Sequence, residues 1–316
     1  MLNRVLALYT RWFAVWVVLF GAVAWFWPEP FLLIRGGIKI FFALTMFGIG
    51  VALKPEDFVR IAKTPVIVAI GCAAQFTIMP FGAFLIARAA GLPDDLAMGL
   101  ILTGAAPGAM ASNVVTYIAR ADTAYSVSLT TASTLLCPLL TPGLTLLLAG
   151  ARMDVPFWGM MIDVLLTVVL PVVAGFGVRN LLGGRLEKIL PVFPAVSATF
   201  IVFITSLVVA LNRDHIAGLT GLLLAVCLTL NLGGMLGGYS VGALARMNTA
   251  RRRTLSIEVG MQNAGLGVVL ALKHFGERAT IPSAVFVFVC IITASIAAAL
   301  WQRSPGGSVP AGGEAK

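Results

Sequence analysis

Apolar runs of about 20 residues, the length a helix needs to cross a bilayer, recur along the whole chain with short polar loops between them. They predict ten spans, at approximately 12–28, 37–53, 65–87, 95–119, 124–149, 156–178, 192–211, 216–244, 254–272 and 280–301. The runs are continuous and lack period-two alternation, which predicts an all-α polytopic membrane protein and excludes a β-barrel. Two of the ten are interrupted. The ninth, TLSIEVGMQNAGLGVVLAL, carries Glu258, Gln262 and Asn263 interleaved with Gly260 and Gly265. A carboxylate at mid-bilayer costs roughly 3 kcal/mol on insertion scales. The run contains no Lys or Arg, so the partner of Glu258 is a proton, a metal cation or a distant base. Glycine lowers helix propensity and side-chain amides replace lost backbone partners, so the span is predicted to break here. A continuous helix whose polar groups serve only packing is the competing reading.

The fourth span repeats the anomaly with Gly104, Pro107, Gly108, Ser112 and Asn113. Proline removes a backbone donor and clashes with the preceding turn, which places a break near 106–112. Asn113 and Asn263 lie 150 residues apart. Broken spans in fourth and ninth position predict a 5+5 inverted repeat, approximately 1–150 and 151–302, with the two broken helices crossing. Gln75 in the third span and Asn231 in the eighth fall where such a repeat requires them. Residues 1–302 form one transport unit, and the Gly/Pro-rich tail 303–316 is expected to be disordered.

Composition sharpens the class. The chain has 316 residues, 59% hydrophobic and 11% charged, with a mean hydropathy of +0.99. The net charge of +9 does not point to nucleic acid, because the basic residues concentrate in alternate loops: fifteen of the 22 fall on one side. That asymmetry predicts a multi-pass protein of a bacterial inner membrane with both termini cytoplasmic. The four cysteines sit inside apolar runs without metal-type spacing and read as packing residues. Asp163, also within a span, stands about two turns from an end and is assigned a peripheral role, while His215 and His274 at span ends do not suit ligands. No nucleophile with a paired base appears at membrane depth, so the chain is not read as an enzyme, and nothing calls for an obligate protein partner.

The polar inventory at bilayer depth is Gln75, Ser112, Asn113, Ser126, Thr130, Glu258, Gln262 and Asn263. Ser126 and Thr130, four apart, share a helical face, whereas Ser128 and Thr131 point elsewhere. Hard oxygen donors around one carboxylate suit Na⁺ and not a transition metal. Helix breaks also expose the N-termini of the second half-helices, whose positive ends attract an anion. With two monovalent cations and one Glu258 charge, the remaining positive charge would be balanced by a carboxylate substrate.

The segments IEVGMQNAGL, ASNVVTYIARAD, LTMFGIGVALKPEDF and AAQFTIMP resemble the bile acid:sodium symporter family over nearly the entire chain. The resemblance implies ten helices divided into a panel domain, spans one, two, six and seven, and a core domain of the other six. It implies one Na⁺ held by Ser112, Asn113, Ser126, Thr130 and Glu258, and a second held by Gln75, Glu258, Gln262 and the carbonyls of Val259 and Met261. The substrate side departs from the family pattern. Met110 stands where bile-acid-binding bacterial members commonly have threonine, and Val289, Cys290 and Ile291 stand where they read Trp, His and Asn. Asn263, Asn113, Met110, Ala264 and Cys290 are the candidate substrate contacts.

The expected function is secondary active symport of Na⁺ with an organic anion by alternating access. The anion would be a small carboxylate, such as pantoate or a 2-oxo acid, or a bile acid. A cation channel or ion-only antiporter that uses Glu258 as a relay is the alternative. The helix breaks would serve either, but an anion-coordinating pair of dipoles has no role in a channel.

Overall fold

The computed structural model describes residues 6, 9, 12–151, 153–183, 189 and 192–303. The tail beyond Arg303, with Arg4, Arg11, Arg152, Arg185, Lys188 and Lys316 of the charge count, lies outside the described residues. Regular structure is helical throughout them, apart from one isolated β-bridge between Gly108 and Gln262.

The predicted spans appear as α1 (Phe13–Phe26), α2 (Ile38–Ala52), then, after a short amphipathic α3 (Pro55–Lys63), α4 (Pro65–Ala89). The fourth span is split into α5 (Asp94–Ala105) and α6 (Ala111–Ile118), and is followed by α7 (Thr123–Ala149). Next come α8 (Phe157–Leu182) and the long α9 (Val192–Leu244). The ninth span is split into α10 (Thr249–Gly260) and α11 (Ala264–His274), and α12 (Ile281–Arg303) ends the bundle. Six of these helical stretches are long and apolar enough to cross a membrane, among them Pro65–Ala89, Thr123–Ala149 and Phe157–Leu182. The half-helices fall short because the breaks divide them. Within α8 the turn Leu165–Val169 widens to a π-helix just ahead of Pro171, whose missing N–H deprives the preceding turn of its i−4 partner.

One expectation needs correction. The polar stretch around 212–215 suggested a loop between two spans, but helical hydrogen bonding continues from Val192 to Leu244, 53 residues. The helix cannot be straight. At 1.5 Å per residue Phe200 and Asn231 would be about 46 Å apart. Yet Phe200 packs on Phe42, with ring centroids 5.9 Å apart, and the Phe42 ring lies 3.4 Å from a Cβ position on Gly265. Asn231 meanwhile donates to Gly260 O at 2.8 Å, and the chain from Gly260 to Gly265 is only five residue steps long. Even fully extended, those five reach roughly 18 Å. The helix therefore bends, and its halves serve different partners. The first half sets Phe203 against Phe20 of α1 and Phe200 against Phe42 of α2, whereas the second sets Asn231 and Gly238 against Gly260 and Leu255 of α10.

Close backbone approach holds α2 on α8. A Cβ on Gly50 would collide with the carbonyl of Val172, and one on Gly175 with the carbonyl of Phe47. Small residues at such a seam replace the hydrophobic driving force that lipid removes. On the other side, α4, α5, α7, α10, α11 and α12 share one continuous buried cluster with the inward faces of α2 and α8.

Candidate ion and substrate site

The two helix breaks meet. Asn263 N donates to Pro107 O at 2.8 Å and Ala109 N donates to Met261 O at 3.0 Å, giving the two-residue antiparallel bridge between Gly108 and Gln262. Backbone groups that no helix satisfies are thereby paired with each other away from lipid, as the membrane demands. Pro107 and Gly108 open the fourth span at 106–110, close to the expected 106–112. Helices on either side supply side chains to the freed carbonyls. Gln75 on α4 donates to Ala106 O at 3.4 Å, Thr141 on α7 to Ala105 O at 2.7 Å, and Asn231 on α9 to Gly260 O at 2.8 Å. Gln75 and Asn231 thus do the same work at the two breaks.

Glu258, 2% exposed, ends α10 beside this crossing. Ser112 at the start of α6 and Ser126 on α7 both donate to its Oε1, and Thr130 Oγ1 lies 2.9 Å from Oε2. Gly108 makes room: a Cβ there would sit 2.9 Å from Glu258 Oε2. Ser126 and Thr130 do share the face that looks at the carboxylate, while Ser128 turns back to Ala124 O. Ser133, one turn further, was not singled out in the sequence, yet its Oγ accepts from Gly108 N at 3.3 Å. Its signal was present, a third hydroxyl on the α7 face that carries Ser126 and Thr130.

The remaining predicted ion ligands gather in the same place. Gln75 Nε2 donates to Gln262 Oε1 at 2.7 Å, and Gln262 Nε2 donates to Val259 O at 2.9 Å. The Val259 and Met261 carbonyls each already accept one hydrogen bond and retain a second lone pair. Asn113 supplies a further sign: its Oδ1 is buried with no hydrogen-bond partner, while Nδ2 contacts Met110 Sδ at 3.9 Å. A buried carboxylate with three hydroxyls on it and carbonyls with free lone pairs close by is a donor set that suits a hard cation, and Asn113, next in the chain to Ser112, has an amide oxygen without a partner to add to it. Among the described residues no three His, Cys, Asp or Glu side chains come together in the way a transition metal would need.

Met110 and Asn113 also line a cavity of about 810 Å³ at the far ends of α2 and α8, with Lys54, Arg60, Val127 and Arg179 on its walls. The other substrate candidates lie elsewhere. Asn263 caps α11, its Oδ1 accepting from Leu266 N at 3.3 Å. Ala264 is buried just behind the bridge, and Cys290 is buried on α12 with its thiol directed to Val287 O. None of these three borders the cavity.

Asp163, near the start of α8, is buried and not free at an interface. It is 7% exposed and meets Lys273 and, at 2.7 Å, His274 Nε2, with Lys39 at 3.6 Å. The side chain of His215 lies outside the described residues.

Residues 39–219 match the family model described as the Sodium Bile acid symporter family. A Bacillus subtilis protein named as an uncharacterized sodium-dependent transporter, YocS, is 38% identical over 92% of this chain and 91% of its own length. The Arabidopsis thaliana chloroplast protein BASS1, named as a probable sodium/metabolite cotransporter, is 36% identical over 92% of this chain and 73% of its own. Rice BASS2, named likewise, is 32% identical over 96% and 73%. All three are named as transporters and none as an enzyme. The chain, an all-helical membrane protein, therefore belongs to the sodium bile acid symporter family.

Proposed function

We propose that the protein couples Na⁺ entry to the import of a small organic anion by alternating access. The observation that carries this reading is the buried Glu258 carboxylate, set among hydroxyl, amide and carbonyl oxygens at the crossing of two broken helices. Two ions are assigned: one to Ser112, Asn113, Ser126, Thr130 and Glu258, and one to Gln75, Glu258, Gln262 and the carbonyls of Val259 and Met261. Each ion supplies positive charge that offsets a carboxylate otherwise expensive in a low-dielectric setting. The parallel duties of Gln75 and Asn231 at the two breaks support the ten-span 5+5 inverted repeat. The cavity beside Asn113 would then be open to the cytoplasm, since its walls carry Lys54, Arg60 and Arg179 from the more basic side of the chain.

The cargo follows from the same region. Asn113 and Met110 form the cavity wall at the head of α6, where backbone donors of a half-helix face a carboxylate favourably. A methionine in place of a smaller hydroxyl side chain removes a polar contact and takes up room on the wall, which favours a small carboxylate over a bulky bile acid. Calorimetry with pantoate and with a bile acid, each in Na⁺ and in K⁺, tests both parts. Na⁺-dependent binding with pantoate ahead is expected. A tighter Na⁺-dependent bile acid would overturn the cargo assignment, and indifference to Na⁺ for every acid tried would overturn symport.

A further inference from the structure

The cavity and the Asp163 cluster lie at opposite ends of the same two helices. On α2, Lys39 and Ala52 are thirteen residues apart, about 20 Å of helical rise, and on α8 Asp163 and Arg179 are separated by about 24 Å. Ala52 and Arg179 border the cavity. At the end away from the cavity, Asp163 of α8 takes Lys273 and His274 of α11 on its Oδ2, and Lys39 of α2 approaches its Oδ1. Beside it Arg35, just ahead of α2, pairs with Glu277, just after α11, at 2.7 Å. Both pairings join the α2–α8 seam to the half-helix that starts at the ion-site crossing. Arg278, by contrast, pairs with Asp95 at 3.1 Å within the α5–α12 side and joins nothing across this divide.

We infer that Asp163 with Lys39, Lys273 and His274 is an ionic latch that closes the end of the transporter opposite the cavity. The inference rests on the alternating-access reading: the α2–α8 unit must part from α11 at this end when the cavity end closes. One carboxylate answers two ammonium groups and an imidazole, so parting leaves Asp163 with Lys39 alone on one side and Lys273 with His274 without a carboxylate on the other. That loss is what holds the cavity-open arrangement. Because α11 starts directly after Asn263, whose backbone N bonds Pro107 O, the latch acts on the half-helix that leaves the crossing.

The test reads conformation and needs neither Na⁺ nor substrate. A single reporter cysteine, Asn180→Cys on the cavity wall, is labelled with a polar maleimide in protein reconstituted into nanodiscs. The four native cysteines are buried. Asp163→Asn is expected to slow labelling at least about fivefold, the lower end of typical coupling between sites. Lys273→Met, at the more exposed partner, should act in the same direction and serves if Asp163→Asn fails to fold. The swapped pair Asp163→Lys with Lys273→Asp should restore much of the rate. Unchanged labelling in a folded Asp163→Asn or Lys273→Met variant would overturn the latch while leaving the ion site, tested through Glu258, untouched.

Discussion

Gln75 Nε2 donates to Gln262 Oε1 at 2.7 Å, joining side chains 187 positions apart and tying α4 to the bridge between the two broken helices. Because Gln262 in turn donates to Val259 O, the two amides act as one unit. Gln75→Ala and Gln262→Ala should each weaken Na⁺ affinity, and the double variant should fall short of their sum by about 0.5–3 kcal/mol, the range for residues in one network. Na⁺ titrations of all four proteins by intrinsic fluorescence check this; full additivity would mean that the two amides serve different ions.

Glu258 carries the only formal charge at the crossing among the described residues. Glu258→Ala and Glu258→Gln should both abolish Na⁺-dependent uptake, the glutamine variant with its fold retained. Thr130→Ala removes one hydrogen bond to a charged group, worth roughly 1.5–3 kcal/mol, and should reduce Na⁺ affinity by about tenfold or more. Uptake in proteoliposomes under an imposed Na⁺ gradient decides the matter. Na⁺-stimulated transport that survives in either Glu258 variant would refute the assignment.

Gly108 is required by space. Its substitution by alanine puts a Cβ 2.9 Å from Glu258 Oε2 and 3.7 Å from Ser133 Oγ, in a wall that cannot yield without moving the carboxylate. Overpacking of this kind costs about 1–3 kcal/mol, so Gly108→Ala should lower both Tm and Na⁺ affinity. Gly36→Ala, where a Cβ meets nothing within 4 Å, is the control and should change neither. Scanning calorimetry with a Na⁺ titration separates the two variants, and a silent Gly108→Ala would show that the carboxylate is not confined as described.

Asn263 caps α11 through its Oδ1. Asn263→Ala should therefore cost about 1 kcal/mol of helix stability from the lost cap, and hydrogen exchange should rise first over Leu266 and the next turn. Asn263→Asp keeps a capping oxygen and should restore protection. Protection that does not differ between the alanine and aspartate variants would remove the capping role and leave the amide free for the substrate contact expected from the sequence.

The helical class, nearly all the helix boundaries and the polar residues that meet at the crossing of the two broken helices were legible in the chain. Each rests on local chemistry: apolar length sets a span, Pro107 and Gly108 open a helix, and a carboxylate flanked by amides in an apolar run demands a partner. Ser126 and Thr130 were readable as a pair because four residues is one helical turn. The continuity of α9 through 212–215 was not legible, because a few polar residues look alike in a loop and in a helix that bends. Neither was the burial of Asp163. Its position two turns from an end said that it could reach the interface, and nothing in its own span shows that Lys39, Lys273 and His274 arrive from two other helices.

What the sequence determined by itself is which segments form long apolar helices and where two of them must break, since both follow from the cost of exposing backbone and charge to lipid. Which hydroxyls reach Glu258, that Gln75 meets Gln262, and that Asn113 keeps an unpaired buried oxygen were decided only by tertiary structure. So was the sorting of the substrate candidates, with Met110 and Asn113 on the cavity wall and Asn263, Ala264 and Cys290 away from it. These contacts join residues more than a hundred positions apart, and helix crossing geometry, set by where backbones pack closest, fixes them where local pattern cannot.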